Sequence, residues 1–121
     1  MTLDAAYAAE PFAYLTTTGR VTGKPHEIEI WFALQGSTVF LMNGDSKHKA
    51  GNGDWVRNLQ KQPMVTFRVA DRTFDANARM VTEADEDRLA RGLLVTKYAT
   101  PQDQLETWGR VAVPVALDLQ I

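Results

Sequence analysis

Residues 26–34 alternate without a break. His26, Ile28, Ile30, Phe32 and Leu34 fall on one side of a period-two pattern, and Glu27, Glu29, Trp31 and Ala33 on the other. Only an extended strand puts every second side chain on one face. Gln35-Gly36-Ser37 supplies a turn and residues 38–43 a returning strand, so the chain predicts an antiparallel hairpin here. Four more runs, 12–18, 64–70, 72–81 and 111–119, are rich in β-branched, aromatic and aliphatic residues. Glycine and proline break the chain at 19–25, and Ala70-Asp71 joins two of the runs tightly. Six strands in hairpins predict an α+β, mainly β class: an antiparallel sheet that curls into a small barrel with flanking helices. A doubly wound parallel sheet is disfavoured, because strands do not alternate regularly with helices. There is no G-x-G-x-x-G and no P-loop.

Between the strands the pattern is helical. Residues 3–10 read as a short helix or arm. Asp54 is a plausible N-cap for a two-turn helix carrying Trp55, Val56 and Leu59, stopped by Pro63. Thr82 opens T-E-A-D, a capping-box pattern, before a helix over 83–98. Leu89 with Leu93, and Ala90 with Leu94, give that helix one apolar stripe, to be packed on the outside of the barrel. A further short helix is expected over 101–109. Pro114 lacks an N–H, which predicts an edge position or a bulge for the last strand.

At 121 residues the chain suits one domain spanning 1–121. It has no cysteine and two histidines, which leaves no thiolate nucleophile, no disulfide and no three-histidine metal site, so no metal is expected. The net charge of −2 offers no global field for nucleic acid. The first twenty residues lack the basic and apolar regions of a signal peptide, and no run approaches a membrane span. The expected location is the cytoplasm.

Two polar loops carry the candidate chemistry. The first, Gly19 to His26, sets Arg20, Lys24 and His26 within seven residues, with the Thr22 hydroxyl between them. Its glycines are expected to expose backbone N–H groups, and such a loop suits a phosphate or carboxylate. A solvated hairpin tip has the same composition. The second, Asn43 to Asn58, holds Lys47, His48, Lys49, Trp55, Arg57 and Asn58, and runs into a helix N-terminus. Its length favours a functional loop over a bare connection. If both loops share one end of the sheet they form an electropositive cleft on an acidic protein. No G-x-S-x-G elbow or carboxylate pair across a cleft is evident, so triad and glycoside chemistry have little support.

These loops resemble a known family. Leu15-Thr16-Thr17-Thr18-Gly19-Arg20, followed by Thr22-Gly23-Lys24-Pro25-His26, is similar to the T-T-G-R-x-[ST]-G-x-P signature of deazaflavin-dependent nitroreductases. Asp54-Trp55-Val56-Arg57-Asn58-Leu59, with Pro63 and Val65, resembles their W-x-x-N-L-x-x-x-P-x-V segment. Arg72-Thr73-Phe74 and Ala78-Arg79 match the G-R-x-F…A-R pattern in placement. The resemblance implies a split β-barrel of the flavin-reductase and pyridoxamine-phosphate-oxidase type. It implies the deazaflavin coenzyme F-420, from which hydride passes to a quinone, nitroarene or enone. It further implies that Arg20, Thr22, Lys24 and His26 hold the cofactor's phosphate or glutamyl tail. Asn43, Lys47, Lys49, Trp55, Arg57 and Asn58 would complete the cleft, and Trp31 would sit by the ring. A homodimer is expected from the same resemblance and from the apolar last strand, whose edge would need cover. An FMN-binding reductase on this fold, and a non-catalytic carrier of a planar or fatty ligand, are the alternatives.

Overall fold

The computed structural model describes residues 5–43 and 54–121. Helix α1 (Ala5–Ala8) leads into the strands β1 (Ala13–Thr18), β2 (Pro25–Ile30), β3 (Ala33–Gln35) and β4 (Thr38–Asn43). Helix α2 (Asp54–Lys61) precedes the hairpin of β5 (Met64–Val69) and β6 (Arg72–Met80). Then come α3 (Ala84–Tyr98), α4 (Glu106–Val111) and β7 (Val113–Leu119). All pairings are antiparallel, in the order β2-β1-β5-β6-β7-β4-β3.

There are seven strands where six are predicted, because the alternating stretch 26–34 is two strands. The break falls at Trp31-Phe32. Up to Ile30 the chain pairs with β1; from Ala33 it pairs with β4. At the break the backbone of Phe32 leaves the ladder and is satisfied by α3. Its N–H donates to the Tyr98 hydroxyl (3.0 Å), and its carbonyl accepts from Lys97 Nζ (2.9 Å). The two edges of the sheet, β2 and β3, are therefore consecutive in the chain. Among the described residues no ladder pairs them, so the sheet rolls into a barrel with one open seam.

Inward-facing residues from every part of the roll, with Leu15, Phe32, Leu41, Phe67 and Leu117 fully buried among them, form the main core. Val56 and Leu59 of α2 add to it and plug one end. A second core lies outside the barrel, where Phe40, Met42 and Ala116 meet Ala90 and Leu94 of α3 and Trp108 of α4. This places α3 outside, as expected, although Leu89 stays largely exposed. It also makes β4 and β7 buried on both faces.

The last strand is consequently not an edge. β7 lies between β6 and β4. In an antiparallel ladder a residue's N–H and C=O point to the same neighbour. The Pro114 carbonyl accepts from Val81 N–H on the β6 side (3.3 Å), one residue past the final β6 pair, Met80 with Val115. The absent N–H is thus missing where that ladder has already ended, and pairing with Met42 of β4 is intact. Nor does Thr82 cap α3. The N-cap is Glu83, with no side-chain cap bond, and Asp85, Glu86 and Asp87 in the first turn complement the helix dipole instead.

Glu86 has a second partner. Arg79 of β6 grips it with two bonds (2.6 and 2.9 Å) and reaches Asp118 of β7 with another (2.8 Å). The bonds from Arg79 hold both carboxyls below their ordinary range. A carboxylate depressed on folding contributes stability above its unfolded pKa and loses it as pH falls through the folded value. Stability should therefore decline as pH drops below about 4, and Arg79→Met should flatten that decline. Urea titrations at pH 6, 4 and 3 check this; equal pH slopes in the two proteins would refute it. No helix among the described residues is long and apolar enough to cross a membrane.

Candidate functional site

The β1–β2 connection and α2 meet at the plugged end of the barrel. The connection is tight because it bonds to itself. Gly19 N–H donates to the Lys24 carbonyl (2.8 Å) and Gly23 N–H to the Gly19 carbonyl (2.9 Å), with Gly23 at φ +71°. Lys24 N–H donates to Thr22 Oγ1 (3.2 Å). The glycine N–H groups are thus spent within the loop, contrary to the expectation that they are exposed for a ligand.

The loop is fastened to α2 through Asn58, which is buried. Asn58 Oδ1 accepts from both the backbone N–H and Nη1 of Arg20 (3.1 and 3.0 Å), and its Nδ2 donates to Thr17 Oγ1 (3.2 Å). One turn away Lys61 Nζ donates to the Arg20 carbonyl (3.1 Å), and Asp54 takes the other arm of the guanidinium (3.4 Å). Asp54, Asn58 and Lys61 are spaced i, i+4, i+7 and share one helix face.

Between loop and helix lies an open cavity of about 310 Å³. Arg20, Thr22, His26, Trp55 and Asn58 all line it, together with Gly19. Gly19 is needed there for space. A Cβ would stand 2.7 Å from both His26 Nε2 and Thr22 Oγ1, in the gap the two polar groups face. Thr22 Oγ1 and His26 Nε2 are themselves 3.5 Å apart, close enough to act on one small group.

The other expected residues are placed differently. Lys24 belongs to the loop but is exposed and does not line the cavity. Arg57 is exposed on α2 and does not line the cavity. Asn43 ends β4, nearly buried, and its Nδ2 finds no hydrogen-bond partner among the described residues. Lys47 and Lys49 lie outside the described residues. Trp31 is absent from the cavity lining. It stacks on Tyr98 at 4.2 Å with the rings parallel, and meets Trp108 edge-on at 5.7 Å. Lys61 is a part of this end of the barrel that the sequence reading lacks; its i, i+7 relation to Asp54 is the pattern that marks it.

What the cavity can do follows from these groups. Arg20 is a held guanidinium, aimed by Asn58, with His26 and the Thr22 hydroxyl beside it. Such a donor set suits a phosphate or carboxylate. The cavity suits one end of a long anionic molecule rather than a whole one.

The model of the F420H2-dependent quinone reductase family matches residues 3–120. Among solved structures, an F420-H2-dependent reductase is similar over 88% of this chain and 93% of its own (18% identity, TM-score 0.73). A chain solved as a domain-swapped dimer is similar over 88% of this one and 79% of its own (21% identity, TM-score 0.73). An FAD-binding protein from Mesorhizobium loti is similar over 100% and 93% (13% identity, TM-score 0.67). These neighbours share the split-barrel fold. The chain belongs to the F420H2-dependent quinone reductase family and is an oxidoreductase that uses the reduced deazaflavin F-420.

Proposed function

We propose that the cavity between the 19–26 loop and α2 holds the anionic tail of F-420, and that the acceptor of its hydride is a quinone. The observation that carries the assignment is the convergence of Thr22 and His26 on the space left by Gly19, in a cavity that Arg20 also lines. Reduced F-420, when bound, supplies the hydride. The protein's own residues bind and orient. Arg20 is the charge-assisted donor, Asn58 and Lys61 fix its loop, and Asp54 restrains the guanidinium from one side. Thr22 and His26 supply further hydrogen-bonding groups at the same spot. Trp55, half-buried between core and cavity, gives the cavity an apolar wall. Trp31 is not part of this assignment, since its ring is already stacked against Tyr98. Lys24 and Arg57 act on the cofactor through charge, and Asn43, Lys47 and Lys49 are its further contacts. No side chain is asked to carry the hydride, and the proton that completes quinone reduction comes from solvent.

Replacing Arg20 by Ala should weaken F-420 binding about 10- to 100-fold, the loss of one charge-assisted hydrogen bond worth about 1.5–3 kcal/mol. The rate at saturating cofactor should change far less. Fluorescence titration with F-420 and stopped-flow oxidation of F-420H2 by menadione separate the two effects. Unchanged affinity would move the tail elsewhere.

We also propose that the protein is a cytoplasmic homodimer. The support is the open edge strands β2 and β3, which carry unpaired backbone groups, rather than the last strand. Light scattering at working concentration tests the assembly, and a monomer would refute it.

A further inference from the structure

A second groove runs along the opposite side of the seam, between β3 and α3. Its volume is about 540 Å³, within the range of small-molecule sites. Ala33, Leu34, Leu89 and Leu93 make its walls apolar. Two features of α3 set it apart from an ordinary surface crease.

The first is Gly92, in the middle of the helix. Glycine there destabilises a helix relative to alanine. A Cβ at this position would meet nothing within 4 Å, and the backbone is ordinary helix, so neither packing nor conformation requires glycine. Its effect is to leave the floor of the groove open.

The second is Lys97. Its Nζ donates to the Phe32 carbonyl and lies 3.6 Å over the Phe32 ring. It makes no ion pair among the described residues. An ammonium has three donors, and one is used among the described residues. Burial pushes the amine down to about 8, and the charge of Glu10 offsets only part of that. The other charged or titratable groups around it are Arg88, in the groove and paired with the exposed Asp85, and Tyr98, whose phenol is pushed up by its own burial. An apolar trough with a desolvated, unpaired cation at one end and a second cation in its lining is complementary to a negative head on an apolar body. It is not complementary to another copy of itself.

We propose that the groove between β3 and α3 binds an amphiphilic anion, an apolar chain or ring ending in a carboxylate, with Lys97 as its counter-ion. This site is separate from the cavity at the 19–26 loop and does not rest on that assignment.

The experiment is calorimetric titration of the full chain with decanoate and, as the same tail with the opposite charge, decyltrimethylammonium, both below micelle formation. Decanoate should bind one site per chain at least about tenfold more tightly. At pH 8 its binding should draw in up to about half a proton, read from buffers of different ionisation heat, as Lys97 recovers its charge. Lys97→Met should abolish the preference for decanoate and the proton uptake. Gly92→Leu should block decanoate while leaving thermal stability equal or higher, which guards against a folding artefact. Failure of decanoate to saturate, equal affinity for the two amphiphiles, or a preference that survives Lys97→Met would each overturn the proposal. So would a dimer in light scattering that excludes decanoate and that Gly92→Leu dissociates.

Discussion

Replacing Asn58 by Leu should cost about 2–4 kcal/mol of stability, and with it most of the affinity for F-420. Leucine fills a similar volume but offers no polar atom. Thr17 Oγ1, also buried, loses its donor, and the Arg20 backbone and guanidinium lose their shared acceptor. Each polar group left unpaired away from water costs about 1–3 kcal/mol. The loop would then be held by Lys61 alone, and the guanidinium by the exposed Asp54 alone. Urea unfolding and F-420 titration measure the two losses. Asn58→Asp is the informative partner. It keeps the acceptor for Arg20 and gives up only the donor to Thr17, so it should retain more cofactor affinity than it retains stability. If Asn58→Leu unfolds like the wild type, Asn58 is not the fastening between loop and helix.

Replacing Phe32 by Ala should cost about 3–5 kcal/mol, as for other buried phenylalanines. The ring is fully buried, packs edge-on against Phe67 at 5.5 Å, and lies under the Lys97 ammonium. Its loss opens a void where the sheet changes partners and takes away the aromatic face that the cation covers. Phe32→Leu refills most of the volume and should cost under about 1.5 kcal/mol. Comparable effects for Ala and Leu would show that the ring's packing matters less than the backbone bonds to Tyr98 and Lys97, which both variants keep.

These two residues show what the chain made legible and what it hid. Most strands were readable because one face of each is core and the other solvent, which writes period two into the sequence. The split at Trp31-Phe32 was not readable, because alternation continues straight through it. What ends β2 is a change of partner, fixed by Tyr98 and Lys97 some sixty-five residues away. Pro114 misled for a related reason. Composition reports a missing N–H but not which side of the strand it is missing from. Thr82 matched a capping pattern with Asp85, yet Asp85 pairs with Arg88 and the helix starts at Glu83 without a side-chain cap. At the site, Arg20, Thr22, His26, Trp55 and Asn58 were found by residue type and loop position, and the fold brings them to one cavity. Their division of labour was hidden. Asn58 looked like one more polar ligand, but both ends of its amide are committed to protein. Trp31 looked free to face a ring, but the neighbours that occupy it come from helices distant in sequence.

The seam between β2 and β3 has a mechanical consequence. From Ile30 to Ala33 there are three Cα steps, so at that end the two lips of the barrel cannot part by more than about 11 Å. At the other end no such tether acts. β2 begins at Pro25, next to the loop that carries Arg20, Thr22 and His26. The barrel is therefore built like a clasped cuff. Any parting of the two lips is thus held smallest at Trp31-Phe32 and is least restrained at the far end of β2. Lys97 and Tyr98, bonded to Phe32, grip the clasp itself.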